Sequence, residues 1–422
     1  MREWLAPTIN FAINSTLEIP GSKSATNRAF VLAALGDKSS TVFNPLFARD
    51  TILMLEALEK LGCKISKQDL KVEISPMTNN HEEIFIDVGL AGTVMRFVPP
   101  IAALTSGITN FDGDARARKR PMKTLIESLK KLNINVIDQN SGSLPFSIVS
   151  NGEIAGGELE IDASESSQFI SALMLIGARA SNGLTIKHIG KNLPSLPHIQ
   201  MTIEMLNEVG VKTVQLDETT WRIEKQNIKS KDWKIEPDLS NAGPFLAAAM
   251  VTNGEVRIKD WPIQTTQAGN AWIEKLSQMG AQIQLDNNSL SLKGNSQING
   301  INYNLKDVGE LTPVLVAISL FANSKSEFRG ISHLRGHETD RLAALVENIT
   351  AIGGDAIETK DGLIINPKKL HGGLWKAFDD HRMATAGAVI GLRIKDIYVD
   401  DISTTSKTLP NFEHMWNKMV NL

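Results

Sequence analysis

The feature that most constrains this sequence is a repeat of about seventy residues. Segments with the pattern of an amphipathic helix end in a turn and are followed by a strand-like stretch: LEKLGCKI, LKKLNINV, MLNEVGVKT, LSQMGAQI and ITAIGGDAI. The turn residues are Gly62, Asn133, Gly210, Gly280 and Gly353. Glycine and asparagine tolerate the left-handed backbone that often ends a helix. A fixed period of this length predicts stacked copies of one supersecondary unit.

A second series of segments has nearly the same period. These segments are rich in Ala, Leu, Val and Met: RAFVLAALG, RFVPPIAAL, QFISALMLIG, PFLAAAMV, PVLVAISLFA and RMATAGAVIG. Because they are apolar on nearly every side, they predict helices buried in a core. Alternating stretches between them predict strands: LKVEIS, GELEIDA, GLTIKHI and SLSLKG. The sequence therefore predicts an α/β fold of six units, each with strands, one buried helix and one amphipathic helix.

The domain organisation follows from the way the last unit ends. Its amphipathic helix, FEHMWNKMVNL, has no strands after it. We therefore expect the N-terminal strands around WLAPTINFAINSTLEI to complete that unit. This predicts an N-terminal lobe of residues 20–236 and a C-terminal lobe of residues 1–19 with 237–422, each of three units. The chain would cross between the lobes near Pro20 and Pro237, which suits a hinge.

Composition narrows the classes of function. A formal charge of −3 over 422 residues argues against a nucleic-acid partner, since no excess of cations is available to displace counterions. The single cysteine, Cys63, excludes an internal disulfide, and we expect a buried apolar residue there, not a nucleophile. The segment MREWLAPTINF lacks the apolar core of a signal peptide, and no run is long enough to span a bilayer. We expect a cytoplasmic protein without a membrane partner.

Polar residues stand at the start of every buried segment: GSKSATNR, GLAGTVMR, SESSQF, DLSNAGPF, VGELTP and DDHRM. Any one of these stretches is explained by helix N-capping alone. Several parallel helices, however, would direct their free N–H groups and positive dipole ends towards one surface, which favours an anion. The cations Lys23, Arg28, Arg96 and Arg382 are expected in the first turns, where a bound anion would compensate them. The set predicts an anionic ligand.

Two charged clusters leave alternatives open. In DGDARARKRPMK, the basic residues form either a solvated loop or a ligand site, with Arg120 placed at a helix start by Pro121. In HLRGHETDRLAAL, the charged residues serve either surface ion pairs or acid–base chemistry. No metal is predicted there, because no third ligand accompanies His333 and His337. GSKSATNR is not a nucleotide P-loop, since Ser22 replaces the glycine before Lys23.

The chain resembles the 5-enolpyruvylshikimate-3-phosphate synthase family over essentially its whole length. The motifs that carry the resemblance are, in the family's order, PGSKSATNRA, GLAGTVMR, RKRPM, SSQF, HETDR, DHRMA and TSKTLP. The resemblance implies a two-lobed enolpyruvyltransferase-like fold, with three βαβαββ repeats per lobe around buried parallel helices. It implies transfer of the enolpyruvyl group of phosphoenolpyruvate to the 5-hydroxyl of shikimate 3-phosphate by addition and elimination. It also implies a monomer of the shikimate pathway, targeted by glyphosate, with two small-molecule substrates and no metal or organic cofactor.

The resemblance implies roles for individual residues. The catalytic set is Glu310 as proton acceptor, Glu338 as proton donor, Lys23, and His381 as a helper. Shikimate 3-phosphate would be bound by Lys23, Ser24, Arg28, Ser166, Ser167, Gln168, Ser195, Glu310 and His337. Phosphoenolpyruvate would be bound by Lys23, Gly92, Arg120, Gln168, Arg341, Arg382 and Lys407. Closure of the lobes would exclude water from the intermediate.

The sequence departs from the commonest family pattern at Leu90, His198, Glu310, His333 and His337, where Asn, Tyr, Asp, Asn and Lys are usual. Two other functions stay open. A UDP-N-acetylglucosamine enolpyruvyltransferase usually has a reactive cysteine where this chain has Ala115. A catalytically silent relative would bind phosphorylated acids without needing the acid–base pair Glu310 and Glu338.

Overall fold

Two units, each with its own hydrophobic core, make up the chain in a computed structural model that describes residues 3–78, 80–286 and 288–421. The continuous unit is Gly21–Ile235. The discontinuous unit is Met1–Pro20 together with Glu236–Leu422. The crossings between the units therefore fall after Pro20 and after Ile235.

The chain enters through two strands of the discontinuous unit, β1 (Trp4–Leu5) and β2 (Asn14–Leu17). In the continuous unit the helices are α1 (Lys23–Leu35), α2 (Arg49–Lys60), α3 (Gly92–Ala102), α4 (Lys123–Lys131), α5 (Gln168–Gly177) and α6 (Leu196–Glu208). The strands are β3 (Ser40–Phe43), β4 (Ile65–Gln68), β5 (Lys71–Ile74), β6 (Asn80–Asp87), β7 (Ser106–Asp112), β8 (Asn135–Ile137), β9 (Phe146–Asn151), β10 (Gly157–Ile161), β11 (Leu184–His188), β12 (Thr213–Asp217), β13 (Thr220–Ile223) and β14 (Trp233–Lys234).

The rest of the discontinuous unit repeats this alternation of helices and strands. Its helices are α7 (Leu239–Thr252), α8 (Trp272–Gln278), α9 (Thr312–Ser319), α10 (Arg341–Ala351), α11 (His381–Gly391) and α12 (Phe412–Met419). Its strands are β15 (Glu255–Ile258), β16 (Gln282–Asp286), β17 (Ser289–Lys293), β18 (Asn302–Asn304), β19 (Ser326–Arg329), β20 (Asp355–Glu358), β21 (Leu363–Asn366), β22 (Gly373–Trp375) and β23 (Ile397–Val399).

The sheets share one topology. In the order β10-β11-β13-β12, the first two strands are parallel, with the buried helix α5 between them in the chain, and the remaining pairs are antiparallel. Four other sheets have the same arrangement of one parallel pair followed by antiparallel pairs: β14-β3-β5-β4, β6-β7-β9-β8, β2-β15-β17-β16 and β18-β19-β21-β20. The sheet β1-β23-β22 has three strands. Parallel neighbours require such a crossover helix. The predicted fold class, six βαβαββ repeats around buried helices, is confirmed.

The six apolar segments are buried helices, as predicted: α1, α3, α5, α7, α9 and α11. Except for α5, which begins with its apolar run at Gln168, each helix begins within the polar motif. Arg28 and Arg96 consequently lie in the second turns of α1 and α3, so their prediction in first turns was wrong. Lys23 and Arg382 do lie in first turns.

The turns that revealed the repeat have the expected backbone. Gly62, Asn133, Gly210, Gly280 and Gly353 all have φ between 63° and 105°, two residues beyond the end of an amphipathic helix. Asn421, at φ 58°, follows α12 in the same way. Left-handed residues that end the amphipathic helices therefore recur once in each repeat.

The N-terminal strands differ in part from the prediction. β1 pairs antiparallel with β23 and completes the last repeat, as expected, with Trp4 opposite Val399. β2 instead lies parallel to β15 in the fourth repeat, with Asn14 opposite Glu255. The reason is that β14, which precedes α7 in the chain, pairs with β3 of the first repeat, so the leading position of the fourth sheet is filled by β2.

Two further expectations concern Cys63 and the membrane. Cys63 is buried, and burial raises the pKa of its thiol to about 12, as expected for an unreactive core residue. Among the helices that the structure describes, none is long and apolar enough to cross a membrane.

Candidate functional site

The starts of the three buried helices of the continuous unit lie together. Side-chain hydrogen bonds join their first two turns: Asn27 to Thr93 at 2.6 Å, Arg96 to Gln168 at 3.1 Å, and Arg28 to Ser171 at 3.4 Å. These bonds link α1 with α3, α3 with α5, and α1 with α5. The predicted residues Lys23, Ser24, Gly92 and Gln168 are thereby brought to one side of this unit.

Arg28 is a buried cation surrounded by neutral acceptors. It is 1% exposed, and its Nε donates to Thr202 Oγ1 at 2.8 Å. Its terminal nitrogens donate to the backbone oxygens of Ser24 and His198 and to Ser171 Oγ. Burial lowers the pKa of its guanidinium to about 9, and no carboxylate in the described part of the chain forms an ion pair with it. Such a charge favours an anion nearby.

Lys23 is the first residue of α1, after the N-cap Ser22. Its Nζ donates to Asp50 Oδ2 at 3.2 Å, and Asp50 is buried at the start of α2. The ion pair connects the opening motif to the second helix of the repeat. Sequence reasoning missed Asp50, because an acid in the first turn of a helix is already explained by the helix dipole.

Gly92 lies against two guanidinium groups. A Cβ atom there would stand 2.9 Å from Arg96 Nη1 and 3.1 Å from Arg120 Nη2, so a side chain at this position would displace the guanidinium groups. Arg120 Nη1 donates to the backbone oxygen of Leu90 at 3.0 Å. Pro121 predicted that Arg120 stands at a helix start. This prediction was wrong, because α4 begins only after the N-cap Met122. Two arginines beside the N-terminus of α3 nevertheless suit an anion.

The remaining predicted residues of the continuous unit lie at two other helix starts. Ser166 and Ser167 precede α5, and Ser166 Oγ accepts from the N–H of Gln168 at 3.3 Å. Ser195 precedes α6 with φ 57° and ψ 45°, a left-handed conformation. Such a backbone costs a non-glycine residue about 1–3 kcal/mol, a strain that is often retained at functional sites.

In the discontinuous unit, three predicted residues are in direct contact. Lys407 Nζ donates to Glu338 Oε1 at 2.8 Å, and Arg341 Nη2 donates to Glu338 Oε2 at 3.1 Å. All three side chains are buried. A carboxylate between two cations is thus held in place by charge-assisted hydrogen bonds.

Asp380 extends this cluster. Its oxygens accept from Arg341 Nε at 2.7 Å and from Arg341 Nη2 at 3.2 Å, and Oδ1 also accepts from the N–H of Arg382 at 2.9 Å. Burial alone lowers the pKa of Arg341, but the charges of Asp380, Glu338 and Glu310 outweigh it and raise that pKa. Asp380 is also the N-cap of α11. It was missed as a site residue because helix capping already explained the polar residues of DDHRM.

Glu310, His381 and Arg382 lie near the cluster. Glu310 is in the 3-10 turn Gly309–Leu311 that precedes α9. Burial and then the charge of Arg341 lower the pKa of Arg382, against the opposing charges of Glu310, Asp238 and Asp380. His381 opens α11, with Nδ1 3.8 Å from Asp380 Oδ1. The structure therefore groups the predicted acid–base residues of this unit with its cations.

The two histidines of HLRGHETDR adjoin the same cluster. His337 Nδ1 lies 3.4 Å from Arg341 Nη1 and 3.9 Å from Glu338 Oε2. The ring of His333 is 5.7 Å from that of His337, and burial lowers the pKa of His333 to about 4. Over the ranges that the structure covers, no group of three His, Cys, Asp or Glu residues could hold a metal ion.

The fold is that of the enolpyruvyl transferases. The solved EPSP synthase of Acinetobacter baumannii matches with a TM-score of 0.83 at 21% identity, covering 99% of this chain and 98% of that one. The enolpyruvyl transferase NikO of Streptomyces tendae matches with a TM-score of 0.78 at 13% identity, covering 99% and 97%. These two likenesses concern the fold.

The sequence identifies the family. The profile of EPSP synthase (3-phosphoshikimate 1-carboxyvinyltransferase) matches residues 8–416. A 3-phosphoshikimate 1-carboxyvinyltransferase of Kocuria rhizophila is 45% identical over 428 aligned positions, which cover 99% of this chain and 96% of the relative. The chain belongs to the EPSP synthase family.

Proposed function

We propose that this protein transfers the enolpyruvyl group of phosphoenolpyruvate to the 5-hydroxyl of shikimate 3-phosphate, releasing phosphate. Membership of the EPSP synthase family supports the reaction, as does the 45% identity to a 3-phosphoshikimate 1-carboxyvinyltransferase. The structural observation that carries the proposal is the buried carboxylate Glu338 between Lys407 and Arg341. It joins a titratable group to two anion-binding cations, as a reaction between anionic substrates requires.

The reaction needs both an acid and a base. The 5-hydroxyl oxygen bonds to C2 of phosphoenolpyruvate, its proton passes to a base, and an acid protonates C3. The tetrahedral intermediate then loses phosphate from C2 and returns a proton from C3 to the conjugate base of that acid, which restores the double bond. We assign Glu310 as the base for the hydroxyl, Glu338 as the acid for C3, and His381 as a helper. Addition and elimination are balanced without any further reactant.

Glu338 must exchange a hydrogen bond in order to act as an acid. Both of its oxygens accept hydrogen bonds from cations in the structure. To carry a proton, one oxygen has to give up such a bond, and Lys407 at 2.8 Å is the adjacent group that can supply the proton. Lys407 therefore has two roles in the proposal, as a phosphoenolpyruvate ligand and as a neighbouring proton source.

The binding roles follow the grouping of charges. The buried charge of Arg28 supports binding of a phosphorylated substrate to the continuous unit. We assign shikimate 3-phosphate to Lys23, Ser24, Arg28, Ser166, Ser167, Gln168 and Ser195, with Glu310 and His337. We assign phosphoenolpyruvate to Lys23, Gly92, Arg120 and Gln168, with Arg341, Arg382 and Lys407.

Phosphate release from defined substrate pairs tests the function. We expect release with shikimate 3-phosphate plus phosphoenolpyruvate, and none with either substrate alone. Release with UDP-N-acetylglucosamine as acceptor would instead favour the other enolpyruvyl transfer. Binding of both substrates without release would identify a silent relative. Rapid quenching of Glu310→Gln and Glu338→Gln during turnover shows whether the tetrahedral intermediate still forms in each variant.

We further propose that the protein is a cytoplasmic monomer whose two lobes, expected at residues 20–236 and at 1–19 with 237–422, close on the substrates. Sedimentation that gives the mass of a dimer would contradict the monomer. Limited proteolysis tests the lobes. Cleavage near residues 20 and 236 should slow when both substrates are present, since bound ligands stabilise the closed form.

A further inference from the structure

A histidine outside the predicted set holds a loop of the continuous unit. His188 is the last residue of β11, is 4% exposed, and accepts a hydrogen bond at Nδ1 from the N–H of Ala163 at 3.1 Å. Its own N–H donates to the backbone oxygen of Thr219 at 2.8 Å. The backbone of His188 is thereby bonded to Thr219, and its ring is bonded to the Ala163 loop.

That loop leads into α5. The N–H of Ser166 donates to the backbone oxygen of Ala163 at 3.1 Å, and the N–H of Gln168 donates to Ser166 Oγ at 3.3 Å. Ala163 is therefore the first link in a chain of hydrogen bonds that reaches the start of α5. His188 anchors this chain at the end opposite Gln168.

The ring has little space in which to move. A Cβ atom on Gly190 would stand 2.1 Å from Asp162 Oδ1, 2.2 Å from Ser164 Oγ and 2.6 Å from His188 Cε1. Asp162 also accepts from the N–H of Ser164 at 3.0 Å. The backbone at Gly190 thus packs against both the histidine and the loop, and their geometry is set jointly.

The hydrogen bond from Ala163 determines the protonation of Nδ1 of His188. A backbone N–H donates, so Nδ1 must be unprotonated and accept. A side chain with an acceptor at the Nδ1 position can replace histidine here, whereas an apolar ring leaves the buried N–H without a partner.

We propose that His188 is a positioning residue for shikimate 3-phosphate, acting through Ala163 on the Ser166–Gln168 segment. The inference rests on the proposed function, which assigns Ser166, Ser167 and Gln168 to that substrate. His188 needs no contact with the substrate for this role. The motif GLTIKHI predicted only a strand, because the hydrogen bond joins residues that are far apart in the sequence.

The test compares His188→Phe with His188→Asn in the full-length protein. Phenylalanine keeps an aromatic ring but removes the acceptor, and asparagine restores an acceptor close to the Nδ1 position. We expect His188→Phe to raise the dissociation constant for shikimate 3-phosphate about tenfold, and His188→Asn to stay within about threefold of wild type. The rate constant kcat at saturating substrates should change less than the dissociation constant in both variants.

His81→Phe is the matched control. His81 is a partly buried histidine of the same unit, but it lies at the amino end of β6, where Nε2 meets Thr105 Oγ1 at 3.0 Å and Thr109 Oγ1 at 3.3 Å. We expect His81→Phe to lower thermal stability without changing substrate affinity. An equal loss of affinity in His81→Phe and His188→Phe would overturn the positioning role.

Other outcomes are equally decisive. Wild-type affinity in His188→Phe, or equal losses in the phenylalanine and asparagine variants, would contradict the inference. If His188→Phe does not fold, His188→Gln moves the acceptor by about one bond, and unchanged affinity in that variant would overturn the role. Wild-type protein that does not bind shikimate 3-phosphate contradicts the proposed function, whereas binding that is indifferent to residue 188 contradicts only this inference.

Discussion

Arg28 in the continuous unit and Arg341 in the discontinuous unit are buried to the same degree, at 1% and 2% exposure, but their surroundings differ. Arg28 donates to hydroxyl and backbone oxygens, and burial lowers the pKa of its guanidinium. Arg341 is hydrogen-bonded to the carboxylates of Asp380 and Glu338, whose charges raise its pKa despite burial. The surroundings therefore disfavour the positive charge of Arg28 and favour that of Arg341.

The difference indicates how the work is divided in the proposed enzyme. A buried cation without a carboxylate partner gains most from an incoming anion, so Arg28 suits the binding of phosphate. A cation already paired with carboxylates gains less, but it fixes those carboxylates for proton transfer. On this view the continuous unit mainly supplies affinity, and the discontinuous unit mainly supplies acid–base chemistry.

The largest effect is expected on catalysis in the discontinuous unit. Glu338→Gln keeps the shape of the side chain but cannot supply the proton, so we expect kcat to fall about 10³-fold. The dissociation constant for shikimate 3-phosphate should change little, since Arg28 and its neighbours are untouched. Glu358→Gln, which alters a glutamate paired with Arg335, serves as the control and should retain wild-type turnover. A fall in affinity instead of turnover would reverse the proposed division.

The arginines themselves provide the next test, by urea unfolding without substrate. Arg341→Met leaves Asp380 and Glu338 buried without that partner and should cost about 3–5 kcal/mol. Arg28→Met leaves only neutral acceptors and should cost about 1 kcal/mol. Shikimate 3-phosphate should stabilise wild type much more than Arg28→Met. Equal costs of unfolding in the two variants would remove the contrast.

Acid should act on the discontinuous unit through His333. Burial lowers the pKa of His333 to about 4, below the usual value near 6.5, so the unfolded chain takes up the proton first as the pH falls. The stabilisation is complete above pH 6.5 and is lost towards pH 4. His333→Asn should reduce the loss of unfolding free energy over this range by about 2 kcal/mol. The exposed His371→Asn is the control, and identical acid sensitivity in wild type and His333→Asn would contradict the assignment.

His337 offers a smaller effect on affinity. Histidine loses its charge in the neutral range, whereas lysine retains it. Between pH 6 and pH 8 we expect wild type to lose about fivefold more affinity for shikimate 3-phosphate than His337→Lys does. Calorimetric titrations at both pH values measure the ratio. Parallel pH profiles would show that the charge at this position does not reach the substrate.

The smallest effect is expected at the surface of the continuous unit. Arg49 forms two hydrogen bonds of 2.8 Å to Asp114, but the side chains are 51% and 38% exposed. Asp114→Asn should therefore change the unfolding free energy by no more than about 1 kcal/mol. The KM for phosphoenolpyruvate should stay within about twofold of wild type. A loss comparable to that of Arg341→Met would show that burial does not govern these pairs.

Much of the fold could be predicted from the sequence because its signals are local. The left-handed turns at Gly62 and Asn133 depend on the residue present, and the buried helices depend on a continuous apolar run. The partner of β2 could not be predicted, since it depends on where β14 pairs, more than 200 residues away in the chain.

The site shows the same limit. The motifs pointed to Glu338, Arg341 and Lys407, and the structure brings these three together. Asp380 and His188 escaped notice, because each acts through a hydrogen bond to a residue distant in the sequence. Short polar motifs reveal residue types suited to a chemistry, whereas the supporting partners are chosen by tertiary packing. The individual roles in binding and catalysis stay predictions.

The pairing of β14 with β3 and of β2 with β15 fixes the order in which two sheets can form during synthesis. The continuous unit can close its first sheet once β14 has been synthesised, but β2 cannot find β15 until the ribosome has passed residue 258. At a synthesis rate of roughly 5–20 residues per second, β2 stays unpaired for on the order of ten to fifty seconds before β15 is made. During that interval the edges of β2 are open to wrong pairing, and a chaperone that covered β2 would prevent it.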